Sequence, residues 1–203
     1  MKLVNKYSHL NGEEFLLVHK KDLYKEILDA IESVDAFKCR TKKSKEIRKK
    51  DEFLLNPTEI NNEFKRIFNS LGWNEVRRSF CVSSDYATVK IIEPLDFEEQ
   101  KKFLIQNNLP IIYSFNQTDF IKQNVAIEVQ LGKYFAVTYD LFVKHLSFYN
   151  GGLIDVGIEI VPTKNMQTQM SSGVPFFEKE VHNVLRHGRT TPPVPIIIFG
   201  VEP

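Results

Sequence analysis

The sequence predicts an α/β fold, a β-sheet covered by helices on its faces, on three observations. Residues 125–131 alternate, with Val125, Ile127, Val129 and Leu131 on one side and Ala126, Glu128 and Gln130 on the other. Residues 153–161 alternate in the same way: Ile154, Val156, Ile158 and Ile160 line one face, Asp155, Gly157, Glu159 and Val161 the other. Residues 196–201 are apolar almost throughout, the pattern of an interior strand. Helical spacing fills the intervals, giving strand–strand–helix–strand–helix–strand after residue 113, with helical material before it.

The elements follow in order. A short apolar run, Phe15 to Val18, comes after the turn signal Asn11-Gly12. Residues 21–37 read as an amphipathic helix with Leu23, Ile27, Ala30, Ile31 and Val34 on one stripe. Asn56-Pro57 opens a second helix, with Asn as cap and Pro in the first turn. Its stripe is Ile60, Phe64, Ile67, Phe68 and Leu71, and Gly72 ends it. Glu59 and Glu63 lie one turn apart on it, as solvent-facing charge or as carboxylates near a site. Residues 73–92 look β-rich, with a turn at Ser83-Ser84-Asp85. Residues 95–108 read as a helix with a Glu98–Lys102 pair, and residues 110–115 enter the strand that leads to Asp119.

Residues 133–149 form a helix that is apolar on nearly all sides, which calls for burial from two directions. One is the sheet; the other is either the rest of the chain or a second subunit. Residues 163–173 read as a polar loop, and a helix from Val174-Pro175 runs to Gly188. Arg186, His187 and Arg189 gather at its C-terminal end, where the helix dipole favours cations.

The whole chain bounds the answer. Its 203 residues suffice for one substantial core and are expected to form a single domain, 1–203. Apolar residues make up 42%, well above a disordered composition. Lys and Arg number 27 against 26 Asp and Glu, so any basic surface must come from segregation of charge. The one concentration is residues 38–50, where Lys42, Lys43 and Lys45 are candidates for phosphate contact; a solvated loop or helix face is the plainer reading. Two cysteines argue against a disulfide framework, and the five histidines are scattered without zinc spacing. The N-terminal residues lack the apolar stretch of a signal peptide, and no run approaches a membrane span. These features lead us to expect a soluble, cytoplasmic protein with no membrane partner. The sequence has no G-x-x-x-x-G-K-S/T loop and no G-x-G-x-x-G turn, which argues against the common nucleotide-binding enzymes.

The chemistry is expected at Asp119 and Glu128. An acidic residue in the middle of an apolar strand is expensive to bury without a partner. If Asp119 ends one strand and Glu128 sits midway along its antiparallel neighbour, both carboxylates converge on one cation. Hard oxygen ligands of this kind suit Mg²⁺. Gln130 points to the same side as Glu128. The alternative is an ordinary ion pair, for which Lys122 and Lys133 are available.

Asp119 followed by Glu128-Val129-Gln130 resembles the active-site motif of the PD-(D/E)XK nuclease superfamily. The Gln in the last place is the variant of the BglII-like restriction endonucleases. Thr118 stands where the superfamily name places Pro, and Gln130 where Lys is more usual. The resemblance implies a restriction-endonuclease-like fold, a central mixed β-sheet flanked by helices. It implies Mg²⁺ held by Asp119, Glu128 and the backbone carbonyl of Val129, with Gln130 orienting a water by its amide. It also implies a homodimer that cuts double-stranded DNA at a six-base palindrome with a GATC centre, leaving four-base 5′ overhangs. Similar enzymes place recognition residues just after the catalytic strand and in a later loop. That singles out Lys133, Asn165, Ser171 and Ser172, since Lys suits guanine edges and Asn suits adenine. Two rivals remain: a non-specific or repair nuclease of the same superfamily, and a non-catalytic DNA-binding module.

Overall fold

The alternation on the central strands sorts the core into two layers. In the computed structural model, which describes residues 1–203 and only the backbone of Arg48, strand β1 (Lys2–His9) is followed by helices α1 (Gly12–His19) and α2 (Lys21–Ser33). A small hairpin, β2 (Lys42–Lys43) and β3 (Phe53–Leu54), precedes helix α3 (Pro57–Ser70). Next come strand β4 (Asn74–Cys81), helices α4 (Tyr86–Ile92) and α5 (Phe97–Gln106), and strands β5 (Tyr113–Lys122) and β6 (Val125–Val129). A long helix follows in three parts: α6 (Tyr134–Tyr139), a π-helical segment (Asp140–Lys144) and α7 (His145–Asn150). Strand β7 (Val156–Pro162), helices α8 (Lys164–Thr168) and α9 (Phe177–Arg186) and strand β8 (Ile196–Glu202) complete the chain.

The strands form a six-stranded mixed sheet in the order β1-β8-β7-β6-β5-β4. Strands β6, β7 and β8 are parallel, β5 pairs antiparallel with β6, and β1 closes one edge antiparallel to β8. The β5–β6 connection is a two-residue turn, Gln123 and Asn124, both at positive φ as a tight hairpin with the sheet's twist requires. Val125, Ile127, Val129, Ile158 and Phe199 bury one face with Leu16, Ile27, Ile60, Phe64 and Phe68 from α1, α2 and α3. Val161, Ile196 and Ile198 bury the opposite face with Val137 and Leu141 of the long helix and Val184 of α9. The helix at Pro57 starts as its residues dictate: the Asn56 side chain accepts from the Thr58 amide at 3.1 Å.

The chain divides into two compact units, residues 1–74 with 119–203, and residues 75–118. The smaller has its own small core of Cys81, Ile92 and Leu104. Gln100 fastens it, accepting from the Cys81 amide at 2.6 Å and donating to the carbonyls of Ile92 and Leu95 at 3.0 and 3.1 Å. No helix among the described residues is long and apolar enough to cross a membrane. Both cysteines are buried and unbridged.

Several expected elements differ. The N-terminal segment supplies β1, which the sequence pattern does not reveal because its polar residues alternate weakly. Residues 86–92 are helical, capped by Asp85, whose carboxylate accepts from the Thr88 amide at 2.8 Å; the cap overrides the β-branched composition. The α5 ion pair joins Glu98 to Lys101, one residue nearer than expected. The polar stretch after β7 holds the short helix α8, started by the Thr163 side chain. Asp119 lies inside β5, which continues to Lys122.

The second face of the sheet carries a further buried carboxylate. Glu159 on β7 lies in register with Glu128 on β6 and shares a 2.9 Å hydrogen bond with Nε2 of His145, also buried. Gly157, two residues earlier on the same face, admits that ring: a Cβ there would lie 2.6 Å from His145 Cγ. Gly157→Ala should therefore cost about 1–3 kcal/mol, read as a drop in urea midpoint. Burial holds the His145 imidazole down at about 3, and burial with the nearby carboxylates holds Glu159 well above the usual carboxylate value of 4.5. An acid whose pKa is raised on folding contributes stability below its unfolded value and loses it as pH rises toward the folded value. Glu159→Gln, which keeps the shape and an acceptor for His145, should thus gain on the native protein as pH rises from about 4 to about 8. A stability difference that stays constant with pH would contradict this ionisation scheme.

Candidate active site

The site begins where the β5–β6 ladder stops. Regular pairing runs Lys122↔Val125, Ile121↔Ala126 and Phe120↔Ile127. At the next position side chains replace the ladder. The Val129 amide donates to Oδ2 of Asp119 at 3.1 Å, and the Asp119 amide approaches Oε2 of Glu128 at 3.4 Å. The two strands part here with two carboxylates at the fork. Asp119 is exposed, Glu128 is fully buried and Gln130 is half-buried.

The long helix supplies what lies behind them. Asp140 and Lys144 begin and end the π-helical segment, four residues apart and both buried. Lys144 Nζ bridges Oε2 of Glu128 at 2.9 Å and Oδ1 of Asp140 at 2.6 Å. The other Asp140 oxygen accepts from the Gln130 amide nitrogen at 2.7 Å. Burial, then the neighbouring Asp119, drives the Glu128 carboxyl well above its ordinary value. Burial likewise raises Asp140, against the pull of Lys144. Burial works against the charge on Lys144, but Glu128 and Asp140 together outweigh it and leave the ammonium more firmly protonated than usual. A single buried lysine thus faces Glu128 and Asp140, with the carboxylate of Asp119 beside them.

The expected ion-pair partners are corrected here. Lys122 pairs with Glu26 at 2.7 Å and donates to the Leu71 carbonyl, a link that also takes in the Trp73 indole. Lys133 is exposed, its ammonium 5.7 Å from the Phe135 ring. Glu59 and Glu63 bond to Thr41 and Arg66 and stand apart from the site. The partner of Glu128 is Lys144, which sequence reasoning misses because it sits in an apolar helix with no local acid signal except Asp140. An acid and a lysine at i,i+4 within such a helix are the signal available.

The residues fit a cation. Glu128 Oε1 is buried with no hydrogen-bond partner, and Asp119 commits one oxygen to Val129. Among the described residues no group of three or more His, Cys, Asp or Glu side chains is arranged to hold a metal. An ion here would take two carboxylates, a backbone carbonyl and waters, the donor set of a small hard dication.

The other candidates fall into two places. Lys133 caps α6, and the amide of Tyr134 donates to the Gly173 carbonyl at 2.9 Å, which brings Lys133 close in the fold to Ser171 and Ser172. Asn165 is exposed on α8. Lys42, Lys43 and Lys45 are exposed on and beside the small hairpin, with Lys43 paired to Asp51 at 2.9 Å. The segment around them is bound to the loop after α8. The Ser172 amide donates to Glu46 at 2.6 Å, and Lys49 donates to the carbonyls of Thr168 and Met170. Arg40 reaches Oε1 of Gln169 at 2.5 Å, and the Leu55 amide donates to the Gln169 carbonyl at 3.0 Å. The basic run is therefore not a freely solvated loop; its Arg40, Glu46 and Lys49 buttress the polar one.

Comparison with known proteins bears on the fold and the family. No curated protein matches the chain in sequence. The solved structure of the restriction endonuclease BglII complexed with a DNA 16-mer is similar at TM-score 0.64 and 17% identity, over 100% of this chain and 79% of that one. Free BglII is similar at TM-score 0.58 and 16% identity, over 100% of this chain and 80% of that one. These likenesses show the fold. The family model for the restriction endonucleases BglII/BglIII matches residues 4–201, nearly the whole length. The chain therefore belongs to the BglII-like family of Type II restriction endonucleases, enzymes that hydrolyse DNA.

Proposed function

We propose that this protein cuts double-stranded DNA at a palindromic six-base site with a GATC core, leaving four-base 5′ overhangs, with Mg²⁺ as cofactor. The observation that carries the chemistry is the fork at Asp119 and Glu128, where Oε1 of Glu128 is buried without a hydrogen-bond partner. Asp119, Glu128 and the carbonyl of Val129 would hold the ion. When bound, Mg²⁺ supplies charge at the scissile phosphate and lowers the pKa of a water. Gln130 carries no charge and acts by orienting a water through its amide. The distinctive site rests on resemblance: in length and order of elements the chain is similar to BstYI of the same group.

Base reading falls to Lys133, Ser171, Ser172 and Asn165, and backbone positioning to Lys42, Lys43 and Lys45. The family relationship and the clustering of Lys133 with the Ser171–Ser172 turn support that division. A palindrome calls for a two-fold dimer. Tyr134, Phe135, Tyr139 and Val143 of the long helix are exposed and apolar, a face suited to a second copy of the chain. We read residues 1–203 as one functional nuclease domain in a cytoplasmic enzyme.

Three outcomes test this. With Mg²⁺ and a long unmethylated duplex, the purified protein should give discrete fragments whose ends fall at one palindrome, and chelator should abolish them; a smear would favour a non-specific nuclease. Asp119→Ala and Glu128→Ala should each lower the cleavage rate by about 10²-fold or more while leaving the fold intact by circular dichroism. Exchanging Lys133 or Ser172 for Asn should change which outer bases are accepted; an equal loss on every sequence would assign them a folding role instead.

A further inference from the structure

The motif side chains are not positioned by the strands alone. Glu128 and Gln130 lie on one face of β6 and its extension, and each ends on one member of an ion pair of the long helix, Glu128 on Lys144 and Gln130 on Asp140. Asp140 divides its oxygens: Oδ1 takes Lys144 at 2.6 Å and Oδ2 takes the Gln130 amide nitrogen at 2.7 Å. Lys144 in turn occupies Oε2 of Glu128, and the oxygen left without a partner is Oε1. The two helix residues lie in a π-helical segment, a local departure common where side chains must be aimed.

We propose that Asp140 and Lys144 are positioning residues for the nuclease site. Asp140 fixes the Gln130 amide with its NH₂ turned into the protein and its carbonyl oxygen left as the acceptor for a water, and Lys144 fixes Glu128 with Oε1 as the oxygen for the cation. The inference rests on the nuclease reading above. It has a consequence for the chemistry of position 130. A lysine there can only donate, whereas Gln130 held in this way offers its carbonyl oxygen, which orients a water by accepting one of its O–H bonds. The positive charge that a lysine would bring to this strand comes instead from Lys144, through Glu128.

Asp140→Asn is the decisive variant. With Lys144 holding an oxygen of residue 140, the new NH₂ faces Gln130 and turns its amide around. The single-turnover cleavage rate in Mg²⁺ should fall by about 10²-fold, while DNA affinity measured in Ca²⁺ changes by less than about threefold. The double variant Gln130→Ala/Asp140→Asn should be no slower than Gln130→Ala alone, because Asp140 acts through Gln130. Multiplied losses, or rate and affinity falling together, would overturn the proposal. So would an unchanged rate in Asp140→Asn when Asp119→Ala abolishes cutting, a result that leaves the nuclease reading standing. The native protein offers a readout that needs neither a folded variant nor cleavage. The Gln130 side-chain amide protons, identified by their shift range and by isotope-labelled contacts to Asp140, should exchange slowly with water in nuclear magnetic resonance spectra. Fast exchange would sink the proposal even if every variant unfolds, and absence of DNA cutting by the native protein would remove the nuclease reading instead.

Discussion

A carboxylate on the buried face of a parallel sheet needs a counter-charge, and Glu128 obtains it from Lys144. That contact constrains much around it. It requires a helix directly over β6, with its charged pair on the sheet side and its aromatic residues elsewhere. It accounts for the mixed character of residues 133–149, where Asp140 and Lys144 are buried while Tyr134, Phe135 and Tyr139 are exposed. It also links two levels of the structure, because the helix that packs the second core layer through Val137 and Leu141 also carries the ionic partner of the site. Losing that packing would release the lysine as well as open the core.

The sheet was largely legible because the period-two pattern has a direct physical cause. Val125, Ile127 and Val129 did prove to face one layer, and Glu128 the other, because a strand cannot rotate one residue without rotating all of them. The cap at Asn56 was legible for the same kind of local reason. What stayed hidden was long-range. Nothing in the periodicity of the long helix told that its two buried charges reach strand β6, since a lysine among aromatic residues reads equally as a surface charge. Glu159 appeared only as a member of the polar face of β7; its register with Glu128 depends on a parallel crossover that pattern alone does not align. The helix at residues 86–92 was missed because one capping aspartate outweighed the strand preference of the residues after it.

The basic run illustrates a different limit of composition. Residues 38–50 suggested either phosphate contact or an idle solvated segment, and the structure separates the charges within it. Arg40 and Lys49 point inward to the polar loop, and Glu46, an acid within a basic run, holds the Ser172 amide. Lys42 and Lys45 remain exposed. In the proposed complex the exposed lysines would meet phosphates while their neighbours hold the loop that reads bases. Backbone contact and base contact would then depend on one small hairpin, so that a shift in one displaces the other.

The substitution of Gln130 for the more usual lysine can be understood from the charges already present. Asp140 and Lys144 neutralise each other at 2.6 Å, and Lys144 also faces Glu128 at 2.9 Å. A second ammonium at position 130 would face Lys144 across the same carboxylate and would repel it across a few ångströms of poorly solvated interior. A neutral amide avoids that repulsion and still satisfies the free oxygen of Asp140. The buried ion pair and the glutamine are therefore mutually dependent: the helix lysine makes a strand lysine costly, and the glutamine lets Asp140 serve both neighbours without a buried oxygen going unpaired.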